Sequence, residues 1–491
     1  MSTAERILQL QRRCFLADGP PSADLRCNRI DRLLALLLDN TEEFVDAMAA
    51  DFGTRSRAAS LFTEVVGLIP VIEHTRSHVR QWMRPTTLMR PARLVGVKAE
   101  VEPTPLGVVG IIGPWNFPVN LVILPAAAAF AAGNRVMIKM SEITSHTAKL
   151  MGRLAPNYFD TAELAVVTGG RDVAASFTRL PFDHLFFTGS PEIGVLVQQA
   201  AARHLVPVTL ELGGKNPVVV APDADITRAA RRVASARMVN GGQVCVCPDY
   251  VFVPDHRMES FLATARDTLR KMFPTVLDND DYCSCVNEPN YDRVLGLVDD
   301  ACAKGAVVEQ IAPDGELLPD RASRKMAPTI VHGVDGAMRI TTEEIFGPVL
   351  VVMGYSELPE VIDYVNERPA PLVAYWYGSD GEDFQHFVRH TRSGGVARND
   401  FAAQMIPSSA PFGGVGRSGM GAYHGKAGFD AFTHYRSVVG SDLPFSITGT
   451  ASPPFRAPMK LYADITVRMA RNRTRRRLNR NPSTLAREEA Q

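Results

Sequence analysis

Glu211 and Cys245 stand 34 positions apart and offer a carboxylate and a thiol, a base and a nucleophile. Glu211 sits near the end of the apolar run VPVTLEL and is followed by Gly213-Gly214. Burying a carboxylate there without a partner is costly, and it raises the pKa toward that of a useful general base. Cys245 lies in NGGQVCVC, and its approach through Asn240-Gly241-Gly242 lets backbone come close to a ligand and lets an N–H face a developing oxyanion. Taken alone, a cysteine is more often a small buried hydrophobe. The intervening residues, Asp225 to Met238, have the spacing of a helix that folds the two groups back together.

Other stretches suit a phosphate-bearing ligand, although the usual GxGxxG fingerprint is missing. In FFTGSPEIG, Ser190 is placed to cap a helix that starts at Pro191, and Gly189 and Gly194 permit close backbone approach. Such a helix N-terminus binds pyrophosphate through its free N–H groups, or is simply a capped helix. IKMSE puts Lys139 and Glu142 just beyond a strand. An acid there accepts hydrogen bonds from ribose hydroxyls and repels a 2′-phosphate, which favours NAD; Lys139 offsets that repulsion and leaves NADP open. Asn116 in PWNFP is, by itself, a turn former. CVC at 245–247 and CSC at 283–285 lack the CxxC spacing of structural zinc, and a metal would consume the nucleophile, so none is expected. Cys247, two residues from Cys245, is either a harmless small side chain or a partner in a reversible Cys245–Cys247 link.

ELGGKNP, followed by the cysteine of GQVC, resembles the aldehyde dehydrogenase superfamily, and the agreement extends from about Arg29 to about residue 440. GMGAYHGK resembles the class 3 branch, which includes coniferyl, fatty and aromatic aldehyde dehydrogenases. The resemblance implies an α/β fold with a Rossmann-type parallel-sheet cofactor domain, an α/β catalytic domain and a small β element for oligomerisation. It makes Cys245 the nucleophile, Glu211 the base, and the Asn116 amide with the Cys245 N–H the oxyanion donors. It assigns cofactor contacts to Trp115, Lys139, Ser141, Glu142, Gly189, Ser190, Gly194 and Leu212. Glu344 and Phe346, in EEIFGPV, take the nicotinamide ribose and pack on the ring. Met140 stands where much of the superfamily has proline. Branches that pass the acyl group to coenzyme A generally lack the glutamate, so Glu211 favours hydrolysis to the acid.

The implied substrates are aromatic aldehydes such as coniferaldehyde, or medium- to long-chain aliphatic ones, entering past Phe117 and the apolar Val119–Leu124 run. Two alternatives stay open: a semialdehyde enzyme, whose substrate carboxylate would need a cation such as Arg398 or Arg417, and a non-catalytic protein that keeps the fold. The branch is mostly dimeric, so a homodimer is expected. His424 is either a polar contact in the substrate funnel or a structural histidine.

The elements that must position these residues follow from the whole chain. Its 491 residues exceed one hydrophobic core, and 46% hydrophobic with 22% charged residues is ordinary for a soluble globular protein. Lysine plus arginine equals aspartate plus glutamate at 53 each, so nothing global points to nucleic acid. Seven cysteines, an odd number, argue against a disulfide framework and for a reducing compartment. With no signal peptide read in MSTAERILQLQRRCFLADG, the expected location is cytoplasmic.

Residues 1 to about 85 read as helices: ILQLQRRCFL, one long helix from about Arg29 to Phe52, and another from Ser60 to Met83. Residues 103–134 carry no charge, but their prolines and glycines make them a buried strand, loop and helix rather than a membrane span. From Pro105 onward strands that are apolar on both faces alternate with helices, which implies parallel sheets covered on both sides. The expected divisions are 1–208 (helices and cofactor domain, with 92–104 in an oligomerisation sheet), 209–410 (catalytic), 411–445 (closing segment and oligomerisation strand) and 446–491 (basic tail, disordered at its end). The tail has seven arginines between residues 468 and 480, a solvated end or a weak contact for anionic lipid.

Overall fold

The computed structural model describes residues 2–480 apart from 445, 447, 448, 450, 451 and 456; the expected disorder at the chain's end lies outside the described residues. The chain divides into two compact units, Met1–Arg84 with Pro103–Arg436, and Pro85–Glu102 with the chain from Ser437 onward.

The strands in chain order are β1 (Thr86–Leu88), β2 (Val97–Pro105), β3 (Val108–Ile112), β4 (Arg135–Lys139), β5 (Leu164–Val167), β6 (His184–Gly189) and β7 (Val208–Leu212). They continue with β8 (Asn216–Val220), β9 (Pro248–Pro254), β10 (Val307–Gln310), β11 (Thr329–His332), β12 (Val349–Tyr355), β13 (Val373–Tyr377), β14 (Gly395–Arg398), β15 (Gly419–Met420) and β16 (Thr433–Ser441).

One sheet has the order β15-β7-β6-β3-β4-β5 and a second β10-β11-β12-β9-β8-β13-β14. In each, a single edge strand, β15 or β10, runs antiparallel to its neighbour and the other pairings are parallel. Strands such as β3 (VVGII) and β8 (NPVVV) are buried at every position, as a sheet packed on both faces requires. The uncharged stretch is indeed β3, a loop and the helix Asn120–Ala132, which is buried from Val122 onward. β7 pairs with β6, so residues 209–212 belong to the first sheet, and the change of sheet comes at Gly213-Gly214. In the other unit β1 pairs with β2 in the small sheet β1-β2-β16, and Ala457–Arg480 is an exposed helix.

The N-terminal helices differ from the sequence reading at two breaks. Asn40 ends the helix Ala23–Asp39 and precedes Thr41–Phe52, because its side chain turns back to donate to the Leu36 carbonyl. The helix expected from Ser60 to Met83 opens into a π-turn at Phe62–Val66 before Pro70 starts Ile69–Trp82. The π-turn carries the buried Glu64. No helix among the described residues is long and apolar enough to cross a membrane.

Candidate active site

In the first sheet the chain runs outward from β3 through β4 to β5, then returns to the other side of β3 for β6 and β7. In open α/β sheets, ligands lie outside the carboxyl ends of the strands at such a reversal. The loops leaving β3 and β6 there are Gly113–Asn116 and Ser190–Pro191, and they border a cavity of about 1570 Å³. That exceeds the roughly 300–1000 Å³ of a single small-molecule pocket.

Cys245 reaches the wall of this cavity from a loop with little freedom. Asn240, Gly241 and Gly242 have φ of 51°, 62° and 76°, three left-handed residues in succession. Asn216, at the start of β8, donates to the carbonyls of Cys245 (2.7 Å) and Cys247 (3.0 Å) and accepts the Val373 N–H. The Sγ of Cys245 is approached by its own N–H and that of Val246, yet burial, with Glu344 and then Glu211 close by, pushes the thiol up to about 12. Cys247 is turned into the core, where its thiol donates toward the carbonyls of Ala236 and Arg237. Adjacency in sequence therefore does not put both sulfurs on the cavity wall.

Glu211 lines the same cavity from β7, opposite Gly419 of β15. Both of its carboxyl oxygens are buried without a hydrogen-bond partner, and burial holds its pKa well above the usual range. Asn116 is buried, and its Nδ2 donates to the Gln243 carbonyl at 3.2 Å, which ties the loop after β3 to the loop of Cys245.

At the other end of the cavity, Ser190 caps the helix Pro191–Ala202 by accepting the Ile193 N–H. Trp115, Ser141, Gly189 and Leu212 also line the space. Gly194 does not; a Cβ there would come within 2.7 Å of the Leu212 side chain, so its bareness lets the helix approach β7. Lys139 and Glu142 stand 3.8 Å apart, and Arg171 lies 3.9 Å from Glu142 on the other side. Burial lowers the Lys139 pKa.

Glu344 and Phe346 sit on a strap, residues 340–347, that is held mainly through its backbone. Lys215 donates to the carbonyls of Ile340 and Glu343, Arg293 to those of Glu344 and Ile345, and Arg237 to that of Gly347. Asp249 accepts the Ile345 N–H. Phe346 takes a left-handed φ of 50° and meets Trp115 edge-on at 5.3 Å. The Glu344 carboxyl accepts the Gly214 N–H, and burial, followed by Asp249, raises its pKa to about 8.

These features fit a nicotinamide dinucleotide. A capped helix start faces the cavity, the Thr188 hydroxyl on its wall is buried and unpartnered, and a Cβ at Gly213 would fall 2.2 Å from Glu344. Among the described residues no group of three or more His, Cys, Asp or Glu is placed to hold a metal ion.

Of the cations offered for a semialdehyde carboxylate, Arg398 is not on the cavity wall and donates to the Gly378 carbonyl, whereas Arg417 lines the cavity and is paired with Glu192 in the first turn of the capped helix. His424 is buried with both ring nitrogens unpartnered, stacks on Phe412, and is pushed down to about 4 by burial. Asn216, Arg55 and Glu64 are not singled out by sequence, and Asn240 is read there only as part of the flexible approach to Cys245. Of the first three, only Glu64 left a trace there, as a lone acid inside the apolar run LFTEVVG.

The family model for the aldehyde dehydrogenase family matches residues 20–438. The coniferyl aldehyde dehydrogenase of Pseudomonas sp. strain HR199 is 44% identical over 92% of this chain and 92% of its own. A probable coniferyl aldehyde dehydrogenase of Caulobacter vibrioides is 45% identical over 88% of this chain and 90% of its own. Among solved structures, the substrate-bound state of Staphylococcus aureus AldH superposes with a TM-score of 0.87 at 32% identity, covering 95% of this chain and all of that one. The chain belongs to the aldehyde dehydrogenase family, as an NAD(P)-dependent oxidoreductase of aldehydes.

Proposed function

We propose that this enzyme oxidises aromatic aldehydes of the coniferaldehyde kind, or medium- to long-chain aliphatic aldehydes, to carboxylic acids through a thioester on Cys245. The observation that carries the reading is the unpartnered, buried carboxyl of Glu211 on the same cavity wall as the Cys245 thiol. The names of the two relatives support the aromatic choice; of the residues expected at an apolar entrance, Leu121 lines the cavity, whereas Phe117, Val119 and Val122–Leu124 are packed in the core.

Cys245, as thiolate, adds to the aldehyde carbon, and the Asn116 amide with the Cys245 N–H holds the oxyanion. The bound nicotinamide cofactor supplies the acceptor for the hydride. Glu211 then takes a proton from the water that releases the acid. Both the thiol and Glu211 start protonated, so turnover should climb with pH through the neutral range; a rate that falls from about pH 7 to 9 would contradict this.

Glu344 is a second reading for the base, favoured by its pKa of about 8 and its position as the charge that most perturbs the thiol. Rapid mixing separates the two: the true base, replaced by Gln, leaves a full first burst of NADH and a slow steady state. The other variant should lose the burst as well.

Lys139, Ser141, Glu142 and Ser190 would hold the adenosine and phosphate end, with Glu142 favouring NAD. The first sheet would be the cofactor domain and the second the catalytic one. A homodimer is proposed, to be checked by light scattering. Seven free cysteines support a reducing cytoplasm. Any lipid contact of the basic helix would show as flotation with anionic vesicles that is lost on deleting residues 465–491. NADH or NADPH formation across benzaldehyde, coniferaldehyde, hexanal, decanal and succinic semialdehyde tests the substrate class, and turnover of the semialdehyde alone would overturn it.

A further inference from the structure

Below the loop that carries Asn116 lies an ion pair that no step of the reaction uses. Arg55 and Glu64 are buried, with side chains 2% and 0% exposed, and are joined at 2.9 Å. Ion pairs so enclosed seldom add stability over apolar residues of the same size, so their connections are informative.

Arg55 extends a second nitrogen, Nη1, to the backbone carbonyl of Asn116 at 3.2 Å. Glu64 uses its other oxygen to accept the N–H groups of Val119 and Asn120, at the start of the helix Asn120–Ala132. The pair therefore grips the Asn116 loop at both ends. The guanidinium lies between the rings of Phe52 (4.7 Å) and Phe117 (5.5 Å), which fixes its plane. Its own segment is anchored in turn, because Ser56 donates to Asp281 and Thr54 accepts the Ser284 N–H.

On the far side, Asn240 donates to the same Asn116 carbonyl at 3.2 Å and to the Gln243 carbonyl at 3.3 Å. The Asn116 amide donates to that Gln243 carbonyl too. One of its two amide hydrogens is committed there, so the orientation of the peptide behind Asn116 decides where the other points. Arg55 and Asn240 fix that peptide from opposite elements.

We infer that Arg55, held by Glu64, is a positioning residue that aims the free Asn116 N–H at the substrate oxygen and ties it to the nucleophile's loop. The inference rests on the proposed role of Asn116 as oxyanion donor. Oxyanion contacts strengthen as the oxygen gains charge, so a mis-aimed donor lowers kcat and leaves KM nearly unchanged.

The test is a double-mutant cycle on the full-length enzyme with Arg55→Lys, Asn116→Ala and the two combined. It is read as kcat and KM with the best aldehyde and NAD, with cofactor affinity from quenching of tryptophan fluorescence. Lysine preserves the charge facing Glu64 but lacks the fork needed to reach the Asn116 carbonyl as well. Asn116→Ala should lose roughly 100- to 1000-fold in kcat. Arg55→Lys should lose roughly 10- to 100-fold, with KM and cofactor affinity within about twofold. The combined variant should be no slower than Asn116→Ala.

If Arg55→Lys keeps wild-type kcat, or if its loss multiplies with that of Asn116→Ala, the inference is overturned while Asn116 keeps its role. If Asn116→Ala itself stays within a few-fold of wild type, the oxyanion reading fails and takes the inference with it. Should Arg55→Lys not fold, the joint variant Arg55→Gln with Glu64→Gln leaves no unpaired buried charge and enters the same cycle.

Discussion

Replacing Gly242 by alanine puts a methyl group where the chain has no room for one. A Cβ at this position would lie 2.1 Å from the carbonyl oxygen of Gly347. An ordinary carbon–oxygen contact is roughly 3.3 Å, so one backbone must give by about 1 Å. Neither side yields easily. Gly347 is gripped through that same carbonyl by Arg237, and residue 242 sits in a left-handed run with φ 76°. The left-handed conformation adds about 1–2 kcal/mol for a residue with a Cβ, and the overlap about 1–3 kcal/mol more.

A shift of that size passes directly to Cys245, three residues on, and to Phe346 on the strap. Misplacing a reacting group by about 1 Å costs on the order of 100-fold in rate. Gly242→Ala is therefore expected to fold with a lowered melting temperature and to lose about two orders of magnitude in kcat. Gly213→Ala is the contrast, because its Cβ meets only the carboxylate tip of Glu344, at 2.2 Å, and a side chain can swing aside. It should raise KM for NAD and cost kcat less than Gly242→Ala does. Initial rates of NADH formation at varied aldehyde and varied NAD decide the matter. A Gly242→Ala enzyme with kcat within about threefold of wild type would refute the claim that this contact sets the position of Cys245.

Alkylation of the free protein by iodoacetamide at Cys245, followed by mass spectrometry, should still be accelerating at about pH 10, since the thiol is pushed up to about 12. A plateau below about pH 9 would contradict that burial. Glu142→Gln should shift the ratio of kcat/KM toward NADP by at least about tenfold, and an unchanged ratio would remove Glu142 from cofactor choice. His184 is buried beside Thr209 and pushed down to about 4, so it is neutral in the fold, whereas an unfolded chain takes up the proton near 6.5. The unfolded state binds more protons between those values, and stability should fall as pH drops through that window, by up to about 3 kcal/mol. His184→Gln should flatten the decline, and an equal decline in the variant would assign it to other groups.

The motifs were legible because each is local: a glycine-lined turn, a capped helix, a strand ending in an acid. What could not be read depends on partners distant in sequence. β11 is only four residues long and gives no periodic signal; the helix Glu382–His390 does space Phe384, Phe387 and Val388 as a helix would, although only Phe387 of these is buried. The break at Asn40 is made by its side chain, and the Tyr158 hydroxyl that joins it comes from another element. Arg55 in FGTRS looks like any surface arginine until Glu64 and Asn116 are brought beside it. The placement of residues 209–212 in the first sheet follows from pairing with β6, which no pattern within VPVTLEL encodes.

The two-residue strand β15 sits on the edge of β7 with Gly419 opposite Glu211. That pairing joins residues about 200 positions apart, so the sheet edge holding the carboxyl is finished only when the late segment arrives. Contacts of such separation form slowly and cannot form at all until that part of the chain has left the ribosome. A nascent chain can thus build both sheets and the loop of Cys245 while Glu211 still lies on an open edge. A reactive thiol would be present before its carboxyl is set, and truncation between Arg398 and Gly419 should leave the parallel strands of both sheets in the chain while the edge beside Glu211 stays open and the enzyme catalytically incomplete.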